Sequence, residues 1–91
     1  MRMLVDGKKT GKDFERRMDG LISFAEHLGL LMCGGWDTGK ATGTFHPQAH
    51  RKGWCVLEKC RMPIIARITA KERKAMVDYG RGHKLNVRWK R

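Results

Sequence analysis

The sequence predicts an α+β fold: a small single domain over residues 1–91, with a mostly antiparallel sheet of three to five strands and two helices packed on one face. Three observations carry that expectation. Phe14, Met18, Leu21, Ile22, Ala25 and Leu28 recur at helical spacing and form one apolar stripe. Thr69-Ala-Lys-Glu72 is an S/T-x-x-E capping box that opens a second helix. Leu85, Val87 and Trp89 alternate with Lys84, Asn86, Arg88 and Lys90, the period of a half-buried strand. Short apolar runs between the helices supply the other strands, in the order α-β-(β)-β-β-α-β, and a sheet with both helices on one face buries both stripes.

Residues 1–10 are assigned to a flexible N-terminus. Thr10-Gly-Lys-Asp13 resembles a capping box in which the Thr hydroxyl accepts an orphan backbone N–H, so the first helix is expected over about 11–28. Gly29 lies just past the last periodic residue and ends it. Leu30 to Cys33 reads as a short buried strand. Residues 34–53 hold Gly34, Gly35, Gly39, Gly43, Pro47 and Gly53 and read as a long glycine-rich loop, with room for a short strand near Thr42 to Phe45. Trp54 to Leu57 and Ile64 to Ile68 read as two strands of a hairpin. The second helix follows over about 70–79, with Gly80 as its C-terminal stop, and the basic-faced strand from Lys84 closes the chain.

Composition narrows the functional classes. At 41% hydrophobic residues the chain is expected to fold. The longest nearly apolar run, Leu28 to Cys33, is far shorter than the roughly 20 residues of a membrane-spanning helix. MRMLVDGKK lacks the apolar region of a secretory signal, and three cysteines make no disulfide framework, so a cytoplasmic, reducing location without membrane partners is expected. The oligomeric state is not legible in the sequence.

Two motif-like stretches bear on chemistry. GGWDTGKAT, residues 34–42, approaches the phosphate-cradling G-x-x-x-x-G-K-[ST], but Ala41 stands where the magnesium-holding hydroxyl belongs, and Gly43 and Pro47 prevent a smooth helix after Lys40. A nucleotide-hydrolase loop is therefore not expected. Cys33, His46, His50, Cys55 and Cys60 include the spacing of the second half of a C2H2 finger, with no cysteine where the first half needs one. They are candidate ligands for zinc; apart from that, no cofactor is expected. Carboxylates are too few in the basic half to form a diagnostic nuclease site, so the chain is read as non-enzymatic, with a zinc-binding or metal-dependent nuclease domain as a remaining alternative.

Charge is the strongest signal. Residues 1–45 carry seven basic and six acidic side chains, whereas residues 46–91 carry thirteen basic and three acidic, a net of +1 against +10. Such asymmetry in one small domain points to a polyanionic partner, nucleic acid first. The candidate phosphate-contacting residues are Arg51, Lys52, Arg67, Lys71, Arg73, Lys74, Arg81, Lys84, Arg88 and Lys90, in clusters expected to share a face. Lys71 and Arg73 oppose the macrodipole of their own helix, which suggests a role outside it. Trp36, beside glycines, is the candidate for stacking on a base. The α-β-β-β-α order resembles that of double-stranded RNA-binding domains, where lysines opening the second helix cross phosphates; Lys71, Arg73 and Lys74 sit in a comparable place, while the last strand and the twenty-residue loop depart from that pattern. The expected function is a small basic nucleic-acid-binding protein. The alternative is a small accessory or inhibitor protein, of the mobile-element or viral type, docking on an acidic protein surface.

Overall fold

The computed structural model describes residues 2–54 and 63–91, with side chains described at 2–49 and 67–91. Among the described residues seven elements follow one another: β1 (Arg2–Gly7), α1 (Lys12–His27), β2 (Leu30–Asp37), β3 (Thr42–Trp54), β4 (Pro63–Ala66), α2 (Ala70–Gly82) and β5 (Leu85–Lys90). The strands form one antiparallel sheet of order β2-β3-β1-β5, with β4 paired to β3. Ala49 of β3 pairs with Leu30 on one side and Ala66 on the other, so β4 prolongs the edge of β3 that β1 occupies. β1 and β2 run parallel with β3 between them, and β3 and β5 run parallel with β1 between them. This is the split β-α-β arrangement of ferredoxin-like plaits, used twice.

Met3 and Val5 of β1, Phe45 and Ala49 of β3, and Leu85 and Val87 of β5 face the helices and join Phe14, Met18, Leu21, Ala25 and Met76 in one core. The alternation expected for the last strand and the apolar stripe expected for α1 are both realised here. Among the described residues no helix covers the opposite face of the sheet. There Leu4 stands between Thr44 and Arg88 in register, and Arg2 stands beside Lys90.

The largest departure from expectation is β1. Residues 1–10 were expected to be flexible, yet Arg2–Gly7 forms a central strand paired on both sides. With an N-terminal strand at its centre, the domain also does not have the α-β-β-β-α layout of the double-stranded RNA-binding resemblance.

The second departure is the glycine-rich stretch. Residues 34–37 continue β2 and residues 42–54 form β3, leaving a turn at 38–41 in place of a long loop. The glycines there make room rather than break structure. A Cβ on Gly43 would lie 3.1 Å from the Phe45 ring, and one on Gly34, whose φ is +148°, would strike the Thr44 carbonyl and the Phe45 backbone. Glycine inside a strand commonly marks such a close approach. The Asp37 carboxylate accepts hydrogen bonds from the Gly39 and Lys40 amides at 2.8 and 3.2 Å and holds the turn. Gly39 and Lys40 thus lie between two antiparallel strands with no helix after them, the opposite of a phosphate loop.

Helix ends differ in instructive ways. α1 is capped by Gly11 at φ +71°, with no side-chain cap bond, so Thr10 does not form the expected box; Asp13 instead binds Arg17. α2 opens on the expected box, with the Glu72 amide donating to Thr69 Oγ1 at 3.1 Å and the Thr69 amide to Glu72 Oε1 at 2.7 Å. It does not stop at Gly80 but runs to Gly82. Gly80 is a packing residue: a Cβ there would lie 2.6 Å from Val87 Cγ2 and 2.9 Å from the Leu85 carbonyl oxygen. Gly80→Ala is therefore expected to destabilise by about 1–3 kcal/mol through overpacking, which outweighs the roughly 1 kcal/mol that alanine adds in a helix interior. Gly82, with no heavy atom within 4 Å of a Cβ, is the matched control: Gly82→Ala should leave the urea midpoint unchanged or raise it. A Gly80→Ala midpoint at or above wild type would show that α2 and β5 are not in this contact.

Candidate anion-binding surface

No charged side chain is buried among the described residues, so the cations face solvent and what matters is how they group. At the end of the sheet where β1 finishes at Gly7 and β5 begins at Leu85, a concavity of ≈ 390 Å³ is lined by Lys8, Lys9, Arg17, Arg81 and Lys84. Every lining residue is cationic, and they come from the β1–α1 loop, α1, α2 and the α2–β5 turn.

Local structure explains how they meet. The Gly7 amide donates to the Ala41 carbonyl and the Gly11 amide to the Thr38 carbonyl, each at 2.8 Å, which pins the β1–α1 loop against the β2–β3 turn. Arg17 Nε donates to Asp13 Oδ2 at 2.8 Å and Nη1 to the His83 carbonyl at 2.9 Å, tying α1 to the end of α2. His83 is steadied in turn: its ring stacks on Tyr79 at 3.8 Å, Tyr79 stacks on Phe24 at 4.5 Å, and His83 Nδ1 donates to the Tyr79 carbonyl at 2.7 Å. The Arg17 hydrogen bond holds the Asp13 carboxyl below its ordinary pKa, against an opposing push from desolvation, and the positive charges of Arg17, Lys9 and Arg16 add to the lowering. A lowered carboxylate keeps its partner above the unfolded pKa and releases it as pH falls through the folded value, so Arg17 stays anchored at neutral pH.

Lys84 sits at φ +59°, in the left-handed region that Gly or Asn occupies at less cost. The side chains of Lys8, Lys9, Arg81 and Lys84 make no hydrogen bond or ion pair among the described residues, although Arg81 lies near enough to Asp78 to help lower its pKa, after Lys74.

At the other end of the sheet, a hollow of ≈ 560 Å³ is lined by Pro47, Arg67, Ile68, Arg73 and Arg91. Arg73 Nη1 donates to the Ile68 carbonyl at 3.1 Å, and its own carbonyl accepts from Trp89 Nε1 at 3.2 Å. Between the two ends runs α2, about 20 Å long. Lys71, Lys74, Asp78 and Arg81 fall on one outward stripe of it, all exposed. Lys74 Nζ binds Asp78 Oδ2 at 2.8 Å, an exposed pair of small energetic weight.

The candidate phosphate-contacting residues are therefore not one patch. Arg81 and Lys84 lie at the Gly7 end, and Arg67 and Arg73 at the Arg2 end. Lys71 and Lys74 lie along α2, and Arg88 and Lys90 on the open sheet face. Arg88 is bound to Asp6 of the first half at 2.7 Å, which corrects the expectation that it is available. Side chains of Arg51 and Lys52 lie outside the described residues. Sequence reasoning missed Lys8, Lys9 and Arg17, because counting by halves set them against Asp13 and Glu15. The run Lys8-Lys9-Thr-Gly-Lys12 was the available signal.

Trp36 is 37% exposed and tilts against Phe45 at 6.2 Å, on the β2 edge strand of the sheet and outside the lining of both cationic hollows. Cys33 and His46 stand opposite each other across β2 and β3, both exposed. The His50 side chain, Cys55 and Cys60 lie outside the described residues. Among the described residues no three His, Cys, Asp or Glu side chains gather into a metal-binding group, and no helix is long and apolar enough to cross a membrane. Comparison with protein-family models, with curated proteins and with solved structures found no match.

Proposed function

We propose that the protein binds nucleic acid through phosphate contacts made by cations along α2 and at its ends. The observation that carries this reading is the placement of Lys71, Lys74 and Arg81 on one exposed stripe that leads into a concavity walled entirely by Lys and Arg. Cations so grouped repel one another, and a polyanion relieves that repulsion while releasing its own counterions. The open sheet face supports the same emphasis on phosphates. Sheets that read single-stranded RNA stack bases on several aromatic side chains of their strands, whereas the described residues of β1 and β3 present Leu4 and Thr44 on that face, with the His46 imidazole as their one ring. Binding is thus proposed to be led by charge, without base-specific contacts and without chemistry on the bound strand.

If about five phosphates are neutralised on a duplex, log K falls with a slope near −4.5 against log salt, so a fourfold rise in salt weakens binding roughly 500-fold. Fluorescence titration of mixed-sequence DNA and RNA oligonucleotides, single- and double-stranded, at two salt concentrations measures it. Binding that is undetectable at low salt, or flat across the salt range, removes the proposal. A stoichiometric acidic protein recovered from nuclease-treated lysate in its place would turn the same surface toward protein docking.

A further inference from the structure

The five-cation concavity has a neighbour. A second hollow, of ≈ 450 Å³, shares Lys8, Arg81 and Lys84 with it and is walled on its other side by Val77, Leu85 and Val87, with Asn86 and the Arg88-bound Asp6 at its polar edge. The two hollows therefore adjoin: one is cationic and the other largely apolar. Both volumes lie within the roughly 300–1,000 Å³ of sites that take small ligands.

We propose that this double hollow is a site for the phosphate monoester of a nucleotide, with Lys8, Lys9, Arg17, Arg81 and Lys84 around the phosphate and the base over Val77 and Val87. This rests on the nucleic-acid reading and refines it, from contacts along a strand to capture of a phosphorylated end. Charge separates the two kinds of phosphate. A phosphodiester within a strand carries one negative charge, whereas a monoester carries about 1.5 to 2 near neutral pH and three acceptor oxygens. Five cations around one concavity match the more highly charged group. Shape agrees: a hollow admits a chain terminus, while an internal phosphate is flanked by sugars on both sides. Arg17 is held by Asp13 and the His83 carbonyl before any ligand arrives, and Lys84 keeps an unfavourable backbone angle that aspartate's amide, Asn, or Gly would tolerate better. Both are features of a preorganised site.

The test uses one 12-nucleotide sequence with a 5′-phosphate or a 5′-hydroxyl, and free nucleoside 5′-monophosphate. Neutralising one further charge on a single strand is worth about fivefold in affinity at 0.1 M salt, so the phosphorylated oligonucleotide is expected to bind about fivefold more tightly. Lys9→Gln and Lys84→Asn should each shrink that preference toward unity, and Asn preserves the left-handed turn. Equal binding of the two oligonucleotides by wild type overturns the end site and leaves nucleic-acid binding standing. Loss of oligonucleotide binding altogether, with the free monophosphate still raising the melting temperature in a Lys84-dependent way, keeps the monoester site and removes the nucleic-acid reading. Competition by the free monophosphate against the phosphorylated oligonucleotide alone supports the site and identifies free nucleotide as a second source of the same group. Absence of all three effects ends both proposals.

Discussion

Replacing Lys71, Lys74 and Arg81 together by glutamine is expected to weaken nucleic-acid binding about 500-fold at 0.1 M salt. Each phosphate neutralised on a duplex contributes about 0.9 to the slope of log K against log salt, which at 0.1 M corresponds to about eightfold per contact. Three contacts compound, and the measured slope should flatten by about 2.7. Glutamine has nearly the helix propensity of lysine and arginine, and all three side chains are exposed, so α2 should survive. The Lys74–Asp78 pair is lost, at the small cost of an exposed ion pair, and the unpaired Asp78 then repels phosphate further. The check is a salt series on wild type and variant, with circular dichroism confirming the fold. A variant that binds within threefold of wild type would show that α2 does not face the strand, and cations outside α2 would have to account for binding.

Phe45→Ala is expected to destabilise the domain by about 3–5 kcal/mol, the range for removing a buried aromatic ring from a core. For 91 residues the whole stability is about 5–14 kcal/mol, so the variant should lie near or beyond the point of unfolding at ordinary temperature. The residue is 1% exposed and pairs with Met3 at the centre of the sheet. Gly34 and Gly43 stand on either side of it, with the Trp36 ring 6.2 Å away, so few neighbours can move into the space. Urea unfolding followed by tryptophan fluorescence measures the loss, and Phe45→Leu should retain a larger part of the stability. A change below about 1 kcal/mol would mean that β2, β3 and β1 do not converge on this ring.

Several parts of this molecule were legible without coordinates. The α1 stripe was read from spacing, and Phe14, Met18, Leu21 and Ala25 are its buried residues. The start of α2 was read from Thr69 and Glu72, which satisfy each other's backbone within a single turn. The inward Leu85, Val87 and Trp89 of β5 were read from strict alternation. Each signal is local, because the physics behind it, helical periodicity, capping or pleating, acts over a few residues.

What escaped the sequence was decided by partners far along the chain. In β1, half-exposed Leu4 lies between buried Met3 and Val5 and hides the alternation; its place at the centre of the sheet depends on β3 and β5, about 40 and 85 residues away by register. Gly34 and Gly43 looked like loop residues because only the Phe45 ring packed across them shows why a side chain is excluded.

The surface followed the same division. The sequence by itself determined the sign of the charge, the excess of cations in the second half and the secondary structure that carries most of them. Only the tertiary structure decided which cations are neighbours. It set Arg88 against Asp6, sent Arg67 and Arg73 to one end of α2, and brought Lys8, Lys9 and Arg17 to meet Arg81 and Lys84 at the other. The physical reason is that charge adds along a chain without regard to folding, whereas a site depends on distance, and distances between remote residues exist only once helices and strands have packed.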